Sequence, residues 1–413
     1  MATGGDGASL DELLFACTQW LLRGTAYGAA EVFDALGREV GFARACRVEF
    51  AEDADETTLG YVYQLRQLAR RAELQARIQQ ANKQTTLDDL IAFTSLYTPD
   101  WVVEFLVGAC CGADGAERLE YAGRKTGKTS ILDPACGSGN FLLEAARRVP
   151  LECVAGYDID ETAVFIARLS LTVQALRSGV SLGSVGELDL FCLDTLVRHE
   201  EEPKFDAVVG NPPYIGRKLM DRELKQRLKR DYPAAHSDLC AAFVERGLEL
   251  LNPGGKLAFI TQASLLVLPT YEDLRRKILR EHRLDTVVEL GPHVFPLVTG
   301  EKVNSVLLVI ERGQRGDGGA CSYLDLRQVV EKEAALASGD AAWTSVDQSL
   351  FEKTRGAAFN FSCQPSLLFI RERTRKLAEH ADIRQGLATT DNARFVKYRW
   401  EVPAEEIGTR WDT

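Results

Sequence analysis

Between about residues 94 and 330, short runs rich in Val, Ile and Leu alternate with stretches of helical periodicity: "TSILDPACG", "ECVAGYDID", "FDAVVGNPP", "KLAFITQAS", "LDTVVELG" and "NSVLLVIERG". Runs this short and this apolar offer no polar face to water, so each must be covered on both sides. The alternation therefore predicts an α/β fold, a mostly parallel sheet between layers of helices. A glycine-rich stretch, "GQRGDGGA" from Gly313 to Ala320, predicts a turn before one more strand.

The flanks differ. Residues 1–93 read as helical: Ser9 and Glu12 have the spacing of a capping box, Leu13, Leu14, Cys17 and Leu21 form an apolar stripe, and Tyr61 to Asn82 is rich in Leu, Ala, Gln and Arg. Residues 331–375 show no clear periodicity and read as a connector. Residues 376–413 restart with "IRQGLATTDNARFVKYRWEV". With 413 residues, 46% of them hydrophobic, the chain can bury a large core divided among two or three domains. No apolar run nears the roughly 18 residues that span a bilayer, and the opening "MATGGDGASLDELL" has no secretion-signal pattern, so a cytoplasmic protein without a membrane partner is expected. Ten cysteines lie scattered without a C-x-x-C pair, which argues against structural zinc and a disulfide framework. No metal is expected.

In "ILDPACGSGNFLLEAA" an apolar strand turns through Gly137-Ser138-Gly139 into a helix, so backbone N–H groups can approach a ligand without side chains in the way. This is a cofactor turn, but not the dinucleotide fingerprint, because Leu142 stands where a third glycine belongs. Asp158, about 20 residues on, is placed to accept both hydroxyls of a ribose. Asp194 in "LFCLDTL" ends another strand. Any one of these acids could merely cap a helix or turn. The ordered set of three, Asp133, Asp158 and Asp194, with the glycine turn is hard to explain that way.

With Asn211-Pro212-Pro213-Tyr214 added, the set Asp133-Pro134-Ala135-Cys136-Gly137-Ser138-Gly139, Asp158 and Asp194 resembles the amino-methyltransferases that use S-adenosylmethionine, specifically the DNA adenine-N6 group. Upstream, "SLYTPDWVVEFLV" resembles that group's "YTP" motif, and Thr98-Pro99 is also a sound helix start, with Thr as N-cap. The chain order looks like the gamma arrangement, and the resemblance covers about residues 94–312. It implies a Rossmann-like core with a seven-stranded sheet. It also implies S-adenosylmethionine as cofactor, with Gly137 and Gly139 accommodating the methionine portion and Asp158, beside Ile159, holding the ribose. Asp194 would take the cofactor adenine's amino group, while Thr98 and Asp133 close the pocket. Double-stranded DNA would be the partner.

The tetrapeptide has a physical rationale in that chemistry. An exocyclic amine is a poor nucleophile because its lone pair is delocalised into the ring. If the Asn211 side-chain oxygen and the Pro212 carbonyl oxygen accept its two N–H bonds in tetrahedral directions, the lone pair turns toward the methyl donor. Prolines fix φ and remove donors, which keeps those carbonyls aimed at a substrate. Tyr214 supplies a stacking face for a flipped base, and Phe295 in "HVFPLVTGEKVNSVLLVI" is a candidate for the second face, with ordinary core packing as its alternative. As a bare turn, Asn-Pro-Pro-Tyr after a buried strand would be unusual.

The formal charge of −11 speaks against nucleic acid, but the segment from Gly216 to Arg230 holds seven Lys/Arg against two acids. Arg217, Lys218, Arg222 and Lys225 are the candidates for DNA-backbone contacts; a solvated helix with internal ion pairs is the bland alternative. Two features are set aside. "GRKTGKTS" from Gly123 is one residue short of a P-loop and precedes a strand instead of following one, and Cys136 is read as packing, not as a nucleophile.

The carboxy-terminal segment resembles the entrance to the target-recognition region of large adenine methyltransferases of phage defence, especially the BREX (PglX) type, with DISARM and type IIG relatives. Since those chains usually continue for hundreds of residues, a truncated chain or one without its own recognition domain is expected, with other defence proteins as further partners. No acidic-acidic-lysine nuclease pattern occurs in residues 1–93. Protein-glutamine or RNA-adenine methylation, and a DNA-sensing subunit that binds the cofactor without catalysis, are the alternatives.

Overall fold

The computed structural model describes residues 9–37, 54–81, 97–111, 129–295, 304–313, 319–338 and 342–361. All of them lie in the compact unit Met1–Ser362. The Gly123 loop and the carboxy-terminal segment from residue 376 fall outside the described residues.

Nine strands form one sheet: β1 (Ile131–Asp133), β2 (Val154–Asp158), β3 (Asp189–Cys192), β4 (Phe205–Gly210), β5 (Leu251–Gln262), β6 (His282–Gly291), β7 (Ser305–Arg312), β8 (Ala320–Asp325) and β9 (Thr344–Asp347). Their order is β3-β2-β1-β4-β5-β7-β6-β8-β9. β3, β2, β1, β4 and β5 run parallel, β7 inserts antiparallel between β5 and β6, and β8 pairs parallel with β6. The sheet exceeds the expected seven strands by two among the described residues. β8 is the further strand that the glycine-rich turn foretold, and β9 arises past residue 330, in the stretch read as a connector. Its exposed residues Thr344 and Ser345 carry no alternation that the sequence alone could reveal.

The central strands are buried on both faces, which is why they read as continuous apolar runs. On β4 and β5, Val208, Leu257 and Phe259 pack against one helical layer, containing the Leu239–Leu250 and Glu272–Glu281 helices. Ala207, Val209, Ala258 and Ile260 pack against the other, built from the Asp100–Cys111, Asn140–Arg148 and Glu161–Arg177 helices. The Glu161–Arg177 helix is itself double-sided. Val164, Ala167 and Leu171 face the sheet cluster, whereas Ile166, Leu169 and Val173 join a third cluster with Leu14, Leu21, Phe33, Leu59 and Tyr63 of the amino-terminal helices.

Those helices are Leu10–Leu21, Ala29–Ala35 and Thr57–Ala81. The Ser9 capping box forms as expected, with the Glu12 N–H donating to Ser9 Oγ at 3.2 Å and the Ser9 N–H to Glu12 Oε2 at 2.6 Å. The helix after Thr98 differs from expectation. It runs Asp100–Cys111, its first turn closes on the Pro99 carbonyl, and the Thr98 hydroxyl is engaged elsewhere.

Candidate active site

The order in which strands are added reverses between the parallel neighbours β1 and β4: β1, β2 and β3 are laid down one way across the sheet, then β4 and β5 the other. At such a switch point the loops leaving the carboxyl ends of the two central strands part and leave a crevice. Here they part to give a cleft of about 1160 Å3, some of it open to solvent, large enough for a nucleoside-bearing cofactor.

The β1 end supplies Asp133 and the turn through Gly137. Gly137 has φ 51°, and a Cβ there would meet nothing within 4 Å, so the turn presents bare backbone to the cleft. Gly139 has a different part from the expected one. With φ 95° it caps the Asn140–Arg148 helix, and a Cβ would sit 3.0 Å from Ala167, so it permits close packing of two helices and does not line the cleft. The β2 end supplies Asp158 and Ile159. Asp158 accepts from the Gly137 N–H at 2.8 Å and the Asp160 N–H at 2.9 Å, which locks the glycine turn to the acid.

From β4 comes Asn211. Its Nδ2 donates to Thr98 Oγ1 at 3.1 Å, and the Thr98 carbonyl in turn accepts from Asn140 Nδ2 at 2.7 Å. With the amide nitrogen held, the oxygen is the end left to accept a bond. Pro213 lines the cleft next to Asn211, whereas Pro212 is buried beside it; no described backbone N–H donates to the Pro212 carbonyl.

Two expected residues sit outside the cleft lining, and a third is already paired within it. Tyr214 is half-buried and its hydroxyl donates to the Ile260 carbonyl at 3.1 Å, tying the ring to the sheet. Phe295 is 4% exposed and packs in the core with Val294, Leu290 and Leu326, so its apolar ring is satisfied there without a base. Asp194 does line the cleft, but its Oδ2 pairs with Arg227 at 2.7 Å, while Oδ1 accepts from the Leu196 N–H at 3.0 Å.

Arg227 belongs to the Arg222–Asp231 helix, which also lends Leu224 to the cleft wall. The basic helix is therefore part of the pocket. Sequence reasoning weighed it only as a surface. Of the other basic residues, Arg217, Lys218 and Arg222 are exposed, and neither they nor the half-buried Lys225 pairs with a carboxylate among the described residues. The ion-pair alternative thus holds for Arg227 and Arg230 alone in that segment, among the described residues. Also missed were Tyr63 and Gln64 of the Thr57–Ala81 helix, and Asp160, whose position after Asp158 marks it as a helix cap; it accepts from the Thr162 N–H at 2.9 Å. Nothing in a 25-residue helical stretch distinguishes Tyr63 and Gln64 from their neighbours.

Four carboxyl side chains, Asp133, Asp158, Asp160 and Asp194, face the cleft against one cation, Arg227, among the described lining residues. That balance favours a ligand bearing positive charge. Burial pushes the Asp133 carboxyl up to about 8, helped by the charge on Asp158, and the Ala135 N–H offsets this only in part. Burial also raises Asp158 to about 6, against the pull of the Asp160 and Gly137 N–H groups.

A pH signature follows. Between the unfolded value near 3.8 and the folded value near 8, folded Asp133 holds a proton that the unfolded chain has lost, so its contribution to stability falls as pH rises through that window. Asp158 and Asp238 act the same way up to about 6, and His282, depressed by burial to about 4 from 6.5, acts oppositely below 6.5. Above pH 6.5 the slope belongs to Asp133 among these described groups. Unfolding free energy should drop by about 2 kcal/mol between pH 6.5 and 8 in the ligand-free protein. Asp133→Asn should flatten that drop in denaturant titrations; parallel slopes for the two proteins would refute the assignment.

A mostly parallel sheet of this order, with β7 antiparallel inside it and β9 antiparallel at its edge, a glycine turn after β1 and an acid closing β2, matches the fold of solved S-adenosylmethionine-dependent methyltransferase structures. Comparisons with known proteins give the particular likeness. The Eco57I restriction-modification methylase model matches residues 152–295. The type II methyltransferase M.VspI of Vibrio sp. (strain 343) is 27% identical over 288 residues, covering 68% of this chain and 64% of its own length. The adenine-specific methyltransferase BrxX of Escherichia coli O9:H4 (strain HS) is 36% identical over 113 residues, 27% of this chain and 9% of that one. The Type ISP restriction-modification enzyme LlaGI, solved as a nuclease-deletion mutant in complex with a DNA substrate mimic, shares the fold with a TM-score of 0.51 at 16% identity, over 84% of this chain and 38% of that one. The chain thus spans less than two thirds of the curated relatives it matches.

Proposed function

We propose that the protein transfers a methyl group from S-adenosylmethionine to the N6 amino group of an adenine in DNA, within a restriction-modification or phage-defence system of the BREX type. The observation that carries this is Asn211: it lines the switch-point cleft with its amide nitrogen tied to Thr98 and its oxygen available, in the same cleft as the acids Asp133, Asp158 and Asp160.

The residues fit the cofactor. The bare Gly137 turn leaves room for it, and Asp158 suits a ribose, its carboxylate fixed by two backbone N–H groups. The excess of carboxyls suits the donor's cationic centres. Ile159, 41% exposed, offers an apolar face beside the Asp158 carboxylate. When bound, the cofactor supplies a methyl on a positively charged sulfur.

The chain's own residues orient the acceptor. Asn211 Oδ1 and the Pro212 carbonyl would take the two amino hydrogens, so that the nitrogen lone pair faces the donor. Tyr214 could offer its ring face with its hydroxyl still bonded to the Ile260 carbonyl, whereas Phe295 would serve only by leaving the core, a step that DNA binding would have to drive. The exposed Arg217, Lys218 and Arg222 follow the tetrapeptide directly and, with Lys225, would meet phosphates.

The test is methyl transfer from labelled cofactor to duplex DNA by the full-length protein, with the modified nucleoside identified after digestion. N6-methyladenine is the expected product. Cofactor binding without transfer to DNA would overturn this reading, and a labelled glutamine in a protein substrate would replace it.

A further inference from the structure

Gln64 lies on the Thr57–Ala81 helix and lines the cleft, yet it is only 6% exposed, and its side-chain amide makes no hydrogen bond with any described residue. That amide is not among the side-chain groups sealed from solvent without a partner, so it opens into the cleft and is available to bond a ligand there. The surroundings show where that ligand sits. A Cβ on Gly60, one helical turn before Gln64, would fall 2.7 Å from Ser138 Oγ, so the helix backbone rests directly on the glycine turn. One residue before Gln64, the Tyr63 hydroxyl donates to Asp160, and Gln67 Nε2 donates to the Tyr63 hydroxyl at 2.7 Å. Arg177 pairs with Glu56 at 2.8 Å at the start of the same helix, and Tyr61 stacks on Tyr97 with ring centroids 4.0 Å apart. The helix is thereby fixed at both the Ser138 and the Asp160 side of the cleft, and Gln64, next to Tyr63 in the chain, lines the same cleft.

We infer that the amino-terminal helix is the third wall of the cofactor pocket, and that the Gln64 amide hydrogen-bonds a polar atom on the ribose–methionyl side of the bound cofactor. This rests on the methyltransferase reading above, and it assigns a binding role to a region outside the span of the glycine-turn and tetrapeptide motifs. Gly60 makes the approach possible, Tyr63 sets the height of the helix over Asp160, and Gln64 makes the contact.

The experiment is calorimetric binding of S-adenosylhomocysteine to the full chain, alongside melting of the ligand-free protein. Gln64→Leu, of similar volume but unable to hydrogen-bond, should raise Kd about tenfold. Its ligand-free melting temperature should hold, because the amide makes no hydrogen bond with a described residue that the substitution could break. Gln64→Glu, which keeps an acceptor, should fold alike and separate loss of the hydrogen bond from loss of shape by binding better than the Leu variant. An unchanged Kd in Gln64→Leu, or a higher Kd accompanied by a lower ligand-free melting temperature, would overturn the inference while leaving the function standing. Failure of the wild-type chain to bind the cofactor product at all would overturn both.

Discussion

Replacing Asn211 with Ala is expected to slow methyl transfer by about 100- to 1000-fold, the range seen when one preorganised hydrogen-bonding group is removed from a reacting centre. Cofactor affinity and melting temperature should stay near the wild-type values. The asymmetry follows from what Asn211 touches. Its side chain makes one hydrogen bond within the described protein, to Thr98 Oγ1, and it is half-buried in the cleft wall, so the fold loses little. The acceptor amine loses one of the two oxygens that would hold its lone pair toward the donor. Single-turnover transfer measured beside cofactor-product binding separates the two effects. Transfer within a few fold of wild type would remove the tetrapeptide from the chemistry.

The second large effect concerns Gly210, one residue earlier, which sequence reasoning passed over. Its φ is +153°, a region essentially reserved for glycine, and a Cβ would lie 2.7 Å from Asp133 Oδ1. Asp133 is 1% exposed and cannot easily move, so Gly210→Ala meets backbone strain and a steric clash together. We expect a loss of about 2 to 4 kcal/mol in unfolding free energy. Asp133→Ala removes the opposing carboxylate, so in the double variant the Gly210→Ala cost should shrink to its backbone part. Strict additivity of the two substitutions would show that the contact between β1 and β4 does not form. Because Asn211 follows directly, transfer in Gly210→Ala should fall by more than the folded fraction alone explains.

These residues show which parts of the protein can be read in one dimension. The strands β1, β2, β4, β5, β6 and β7 announce themselves as apolar runs because both their faces are buried. The chemistry-bearing groups at their carboxyl ends, Asp133, Asp158 and Asn211, are equally visible, since a polar residue that ends a buried strand has few structural reasons to be there; Asp194, after the mostly exposed β3, is visible through its place in the ordered set. All four line one cleft. Gly210 was legible as a glycine but not as a necessity, because its constraint is a carboxylate from another strand. β9 is legible in neither sense, being a largely exposed edge strand with no hydrophobic period. Tyr214 and Phe295 show the reverse limit. An aromatic residue suits a stacking platform and a hydrophobic core equally well, and only their neighbours, the Ile260 carbonyl for one and Val294 and Leu290 for the other, place them in the sheet and the core.

The sequence by itself determined the layer architecture, the glycine turn, the acids after the strands and the tetrapeptide, because each depends on periodicity or on residues a few positions apart. Tertiary structure alone decided that Gln64 and Tyr63 roof the cleft, that Arg227 neutralises Asp194, and that Thr98 turns the Asn211 amide. Those contacts join groups separated by 33 to 113 residues, such as Arg227 with Asp194 and Asn211 with Thr98, and their energy comes from desolvation and geometry at meeting points that no local pattern encodes.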